Sequence, residues 1–145
     1  MRALVLAAGC GERLHPLTAG AAARLRNGDF IVGYGDNLST IDIAALAAFH
    51  SEKDADVVMV TRCLEKPGAG EVFSQLVNAG YLVAKSWNLD ALSADRQYDF
   101  GRDLLPRLIN DGARVFGYRM TEPLWWIDSV EDYRRTQAAF AERPT

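Results

Sequence analysis

Short apolar runs alternate along the chain with segments whose apolar positions recur every three or four residues. Arg2 to Ala8 is a short apolar run closed by Gly9, the pattern of a parallel strand buried on both faces. Gly9 to Leu17 reads as a loop closed by Pro16. Ala19 to Arg26 is Ala-rich and predicts a short helix, with a turn at Asn27-Gly28. Phe30 to Tyr34 is a second strand, followed by Gly35-Asp36-Asn37. Ser39 or Thr40 then caps a helix with Ile41, Ala45, Ala48 and Phe49 on one face. Asp56 to Thr61 is a third strand. Val77 to Ala84 is a fourth, with Asn78-Ala79-Gly80 at its start. Asp99 caps a helix with Phe100, Leu104 and Leu108 at i, i+4 and i+8. Arg114 to Tyr118 is a short strand after the Asp111-Gly112 turn. Ser129, with Asp132 three residues on, opens a last helix through Phe140.

Strands alternating with helices predict a single α/β domain over residues 1–145, three-layered around an open, mainly parallel sheet. At 145 residues, 49% apolar and 24% charged, the chain can bury a core of useful size. Its net charge of −3 offers no basic footprint for a nucleic-acid partner. The apolar stretches are broken well before membrane-spanning length, and Ala3 to Ala8 is too short for a signal-peptide core. Cys10 and Cys63 lie far apart, which gives neither a disulfide framework nor metal-ligand spacing and fits a reducing cytoplasm. His50 is expected as a surface or C-terminal helix residue.

Two places carry candidate chemistry. The first is the strand end Leu6-Ala7-Ala8-Gly9-Cys10-Gly11-Glu12-Arg13. Gly9 and Gly11 lack Cβ atoms, so the backbone can bend sharply and bring its N–H groups to an anion. Arg13 adds a fork of donors suited to phosphate oxygens. A dinucleotide fingerprint needs a third Gly where Leu14 stands, and a Walker loop needs Gly-Lys-Ser/Thr. On spacing alone the loop is a plain turn, a dinucleotide site or a triphosphate site. The second place is Asp36. It follows a strand end, where open α/β sheets bind ligands, and it could hold Mg²⁺ or simply form a turn with Asn37.

The stretch from Leu6 to Thr18 resembles the signature loop of the sugar-1-phosphate nucleotidyltransferases, L-A-A-G-x-G-[S/T]-R-L-x-P-L-T. Further pieces follow in family order. Tyr34-Gly35-Asp36-Asn37 looks like the metal-binding Gly-Asp, and Glu65-Lys66-Pro67 like the sugar-side E-K-P. Asn78-Ala79-Gly80 looks like the N-A-G strand start, and Tyr98 to Asp103 like the stretch before the penultimate helix. The resemblance implies a Rossmann-like nucleotidyltransferase fold. It also implies transfer of a nucleoside monophosphate from an NTP to a sugar-1-phosphate, of the glucose or mannose type, with release of pyrophosphate. Leu6, Ala7, Ala8, Gly9, Gly11 and Arg13 would bind the NTP. Glu65, Lys66, Asn78 and Gly80 would bind the sugar phosphate. Asp36 and Asp128 would hold Mg²⁺, and Arg13, Asp36 and Lys66 would act in catalysis. The partners implied are these small molecules, with a homo-oligomer as a further possibility.

The chain departs from the family pattern in four ways. Glu12 replaces Ser or Thr in the loop. Thr18 runs directly into Ala19-Gly20-Ala21-Ala22, without the expected P-K-P-x-L segment. Thr61 runs almost directly into Glu65-Lys66-Pro67. Two internal segments are thus absent, and the fold is expected to be incomplete. Before the last helix, gap-free alignment puts Trp126 on the second metal position, and Asp128 fits if two residues are missing or if the D-I-D variant of the pattern applies. These departures also leave open a catalytically inactive homologue that binds nucleotides or sugar phosphates, or regulates such an enzyme.

Overall fold

The computed structural model describes residues 2–6, 28–63, 76–86 and 100–141. The elements follow one another as β1 (Arg2–Leu6), β2 (Phe30–Tyr34), β3 (Asn37–Ser39), α1 (Ile43–Glu52), β4 (Val57–Cys63) and β5 (Leu76–Ala84). A π-helical turn (Phe100–Leu104) then leads into α2 (Leu105–Asn110), followed by β6 (Val115–Arg119), β7 (Leu124–Trp126) and α3 (Val130–Ala141). The helix expected over Ala19 to Arg26 and the Asp99 cap lie outside the described residues.

Five strands form one sheet in the order β1-β2-β5-β4-β6, and β3 pairs with β7 in a separate two-stranded ribbon. β1 is parallel to β2, and β4 to β6, while β5 runs antiparallel between β2 and β4. The sheet is therefore mixed, with four strands running one way and β5 against them. Among the described residues β1 pairs with β2 alone, although its apolar run matches a strand flanked on both sides.

Side-chain alternation splits the core into two layers, because successive strand residues point to opposite faces. Ile31, Val58, Val60 and Val83 face one side, where they pack with Leu46 and Phe49 of α1. Phe30, Val32, Val57 and Leu82 face the other, against Leu104 and Leu108. The expected i, i+4, i+8 stripe is thus present, with Phe100 packed at its edge. Helices on both faces give the three-layer α/β architecture that the alternating pattern predicts.

The start of α1 differs from expectation. Asp42 is the cap, its Oδ1 accepting from the backbone N–H of Ala44 at 2.8 Å and of Ala45 at 2.9 Å. The Ser39 hydroxyl is occupied elsewhere. It donates to the Pro123 carbonyl at 2.9 Å and accepts from the Ile41 N–H at 3.1 Å, holding Ser39 in β3. The last helix begins as expected, with the Ser129 hydroxyl accepting from the Asp132 N–H at 3.1 Å and donating to its carboxylate at 2.6 Å.

The amino ends of β4 and β6 and the carboxyl end of β5 are tied by charge. Asp54, with a left-handed backbone (φ 44°), holds Lys85 Nζ at 2.8 Å and Arg114 Nη2 at 2.7 Å. The Lys85 bond, then the Arg114 bond, hold its carboxyl down to about 2. Burial pushes the neighbouring Asp56 up, but the Arg114 backbone N–H at 2.8 Å and Lys85 outweigh it and leave its pKa lowered.

His50 lies at the C-terminal end of α1 as expected, but not at the surface: it is 1% exposed. Among the described residues neither ring nitrogen has a hydrogen-bond partner, and Nδ1 sits 3.5 Å from Asp29 Oδ2. Burial lowers its pKa below 6.5, against the pull of Asp29. A histidine held neutral in the fold lends no pH dependence above pH 6.5. Below that pH the unfolded chain takes up the proton first, so stability falls as pH drops toward the folded pKa. Chemical unfolding between pH 7.5 and 5 is expected to show this fall, by at most ~1.4 kcal/mol per pH unit. In His50→Leu, which removes both unpaired nitrogens, the fall should be smaller; equal slopes in the two proteins would disprove the assignment.

Candidate functional site

The topology brings the described candidate residues, and the strand ends next to the others, to one edge of the sheet. β1, β2, β4 and β6 run in one direction, so their carboxyl ends share an edge. β5 runs against them, and its amino end is on that edge as well, with Asn78 opposite Thr61. The chain leaves β1 there at Leu6, leaves β2 there at Tyr34-Gly35-Asp36 and leaves β4 there at Cys63. Leu6 is the last residue of β1. Ala7, Ala8, Gly9, Gly11, Arg13, Glu65 and Lys66 lie outside the described residues. Carboxyl ends of parallel strands are where such sheets bind ligands.

Asp36 and Asp128, far apart in sequence, are brought onto facing segments. Asn37 pairs with Trp126 in the β3–β7 ribbon, and the Ile127 N–H donates to the Asp36 carbonyl at 2.8 Å. Asp128 therefore follows directly on the residue bonded to Asp36. Both acids are exposed. Two hard carboxylates on neighbouring backbone suit Mg²⁺, which takes one or two protein carboxylates and completes its shell with water and phosphate oxygens. Trp126, the gap-free alternative, has only an indole N–H and cannot donate electrons to a metal. Among the described residues no cluster of three or more His, Cys, Asp or Glu stands ready to hold a metal alone.

Asn78 and Gly80 sit in a break of the β4–β5 ladder. Met59 pairs with Leu82 and Thr61 with Asn78, so Val60 faces Ala79, Gly80 and Tyr81 together. The extra residues number two, which keeps the inward and outward faces in step on both sides of the bulge. Asn78 Oδ1 accepts from the Gly80 N–H at 2.8 Å, closing the bulge. Gly80 has φ 77°, and a Cβ there would come within 1.8 Å of Asn37 Nδ2. Asn37, next to Asp36, donates from that amide to the Ala79 carbonyl at 3.2 Å. Asp36 and Gly80, both site residues by resemblance, are thus linked through Asn37.

Sequence reasoning did not single out Asn37 and Tyr81 as site residues, nor the ribbon itself. Tyr81 donates its hydroxyl to the Asn37 carbonyl at 3.0 Å. Burial raises its pKa, and a hydrogen bond with the Ser39 backbone opposes the rise. Arg62 donates to the Leu124 carbonyl at 3.2 Å, adding a second tie from the main sheet to the ribbon. Beside Asp128, between β7 and α3, lies an open pocket of about 400 Å³ with Trp125 and Arg135 in its wall. Among the described residues no helix is long and apolar enough to cross a membrane.

No protein-family model matches the chain. Three curated relatives do. The UTP–glucose-1-phosphate uridylyltransferase of Synechocystis sp. is 26% identical over 72% of this chain and 33% of its own length. The mannose-1-phosphate guanylyltransferase of Mycobacterium tuberculosis is 28% identical over 86% of this chain and 42% of its own length. The glucose-1-phosphate adenylyltransferase of Desulfitobacterium hafniense is 31% identical over 78% and 37%. Among solved structures, the UTP-bound UGPase from Acinetobacter baumannii superposes with a TM-score of 0.70 at 16% identity. That match covers 91% of this chain and 57% of that one. The chain is thus related to the sugar-1-phosphate nucleotidyltransferases, and it has their fold. It spans between 33% and 42% of the length of the curated relatives. The Synechocystis alignment runs over 129 positions but uses 72% of 145 residues, about 104, so about 25 positions lack a counterpart here.

The two left-handed glycines at 80 and 112 give a direct test of the bulge. Gly112 has φ 82° and open space within 4 Å of where a methyl would stand, so Gly112→Ala meets only backbone strain, about 1–2 kcal/mol. Gly80→Ala meets the same strain and must also displace Asn37 from Ala79, adding about 1 kcal/mol or more. Urea unfolding of both variants should rank Gly80→Ala as the more damaging; the reverse order would show that Asn37 does not occupy that space.

Proposed function

We propose that the chain transfers a nucleoside monophosphate from an NTP to a hexose-1-phosphate, glucose- or mannose-1-phosphate, with release of pyrophosphate. The observation that carries this reading is the convergence on one sheet edge of the strand end before the Gly9–Arg13 loop, Asp36, Asp128 and the Asn78–Gly80 bulge. The relatives' names support the reaction class. They differ in base and sugar, so they leave both choices to experiment.

In this reading Gly9, Gly11 and Arg13 cradle the triphosphate. Lys66 holds the phosphate of the sugar-1-phosphate, Glu65 a sugar hydroxyl, and Asn78 and Gly80 the sugar ring. An oxygen of the sugar phosphate attacks the α-phosphorus, and the bond to the β-phosphate oxygen breaks as pyrophosphate leaves. Asp36 and Asp128 position Mg²⁺, which when bound offsets negative charge developing on the phosphates. No covalent intermediate on the protein is needed. Catalysis comes from holding two anionic reactants in line.

A second reading has its own support. The positions missing relative to the relatives, and the absence of the P-K-P-x-L segment, fit a homologue that binds these ligands without turning them over. A coupled pyrophosphate-release assay with Mg²⁺, run across the four common NTPs with glucose- and mannose-1-phosphate, separates the two. Release with at least one pair is expected, reduced about 100-fold or more in Asp36→Asn and abolished by chelation. Ligand-dependent thermal stabilisation without release from any pair would instead establish the inactive homologue.

A further inference from the structure

Tyr81 occupies a position that none of the proposed roles uses. It is the last residue of the bulge in the β4–β5 ladder, and it closes the β2–β5 ladder opposite Gly33. A Cβ on Gly33 would meet the Tyr81 ring at 3.4 Å, so the ring lies directly over β2 at that point. From there its hydroxyl reaches past the strand end to the Asn37 carbonyl at 3.0 Å. The Asn37 amide returns to the Ala79 carbonyl at 3.2 Å. The two bonds run in opposite directions between the same two segments. One segment is the bulge with Gly80, and the other is the turn with Asp36. A tyrosine ring is rigid, with two rotatable bonds, so it fixes a distance that a longer flexible side chain would not.

We propose that Tyr81 is a positioning residue: through the Asn37 carbonyl it holds the Asp36 carboxylate at a set separation from the Gly80 bulge, joining the metal half of the site to the sugar half. The metal and sugar assignments rest on the function proposed above, whereas the mechanical link does not. Two reacting phosphates must lie in line, and an error of an ångström in either half costs rate steeply. Both Asp36 and Asp128 are exposed. The backbone carrying them is held by the Ile127–Asp36 bond, the β3–β7 ladder and the Ser39–Pro123 bond, and that ribbon is anchored to the main sheet by Tyr81 and Arg62.

Tyr81→Phe keeps the ring over Gly33 and removes only the hydroxyl. Hydrogen exchange reads the mechanical part. The Ile127 amide, bonded to Asp36, is expected to exchange about tenfold faster in the variant, with the Leu82 and Val83 amides unchanged. Mn²⁺ titration followed by electron paramagnetic resonance reads the functional part. Wild-type protein should bind Mn²⁺, Asp36→Asn should not, and Tyr81→Phe should bind about tenfold more weakly. Leu108→Val, on the opposite face of the sheet, serves as a stability control and should bind like wild type. Unchanged Ile127 exchange in Tyr81→Phe overturns the proposed link. Faster exchange with wild-type Mn²⁺ affinity overturns its bearing on the site while leaving the metal assignment intact. Equal Mn²⁺ binding by wild type and Asp36→Asn, or none by either, refutes Asp36 as the metal ligand and with it the positioning role.

Discussion

The bulge in β5 is the constraint on which the edge with the candidate site depends. Two extra residues opposite Val60 shift the register of the strand without changing which face each later residue occupies. An insertion of one residue would have turned Leu82 and Val83 inside out. The bulge requires a left-handed residue with no side chain at Gly80, and Asn37 fills the space this leaves. Because Asn37 fills it, the residue next to Asp36 is bonded to β5. A break in a strand's regularity has thus become the joint between two halves of a site.

The far edge of the sheet is built differently. There Asp54, Asp56, Lys85 and Arg114 bind the ends of three strands through charge. Exposed ion pairs contribute little singly. This group gains from sharing partners and from Asp56, which is largely withdrawn from water and also accepts the Arg114 backbone N–H. His50 is the odd member of that region, a buried imidazole next to Asp29 with no hydrogen bond among the described residues to offset its desolvation. The two edges therefore divide their tasks. Charge pairs and core packing secure the far edge, while hydrogen bonds from Tyr81, Asn37 and Arg62 to backbone carbonyls shape the edge that carries the candidate site.

Long periodic elements were legible in the amino-acid pattern, and short or partner-dependent ones were not. β2 occupies the predicted residues Phe30–Tyr34, and Leu104 and Leu108 are buried on the stripe that their spacing implies. The helix cap was misjudged because Ser39 and Asp42 are equally good caps by residue type. Only the fold reveals that Pro123 claims the Ser39 hydroxyl. β3 and β7 have three residues each, too few to display a period of two. The burial of His50 escaped notice for a related reason. The buried stripe of α1 runs through Leu46 and His50, not through Ala45 and Ala48, and an Ala-rich helix does not show which side is covered. At the site, residue types pointed to Asp36, Asn78 and Gly80, whereas Tyr81 acts through a hydroxyl on a backbone carbonyl and leaves no mark in composition.

The ribbon that pairs Asp36 with Asp128 would be a poor scaffold alone. Two strands of three residues bury little and are marginal in water. Its geometry must come from what it is fastened to, and two fastenings end on the main sheet: Tyr81 on Asn37 and Arg62 on Leu124. Leu124 also enters the apolar layer with Leu46 and Val83, so β7 is held by packing as well as by hydrogen bonds. Because these fastenings lie on the chain before Asp128, the position of that acid does not depend on the length of the link from it to α3. A chain with two residues fewer between β7 and the last helix than the family pattern can therefore still present Asp128 beside Asp36. The shortened spacing that puts Trp126 on the metal position in a gap-free alignment is compatible, in three dimensions, with an intact pair of acids.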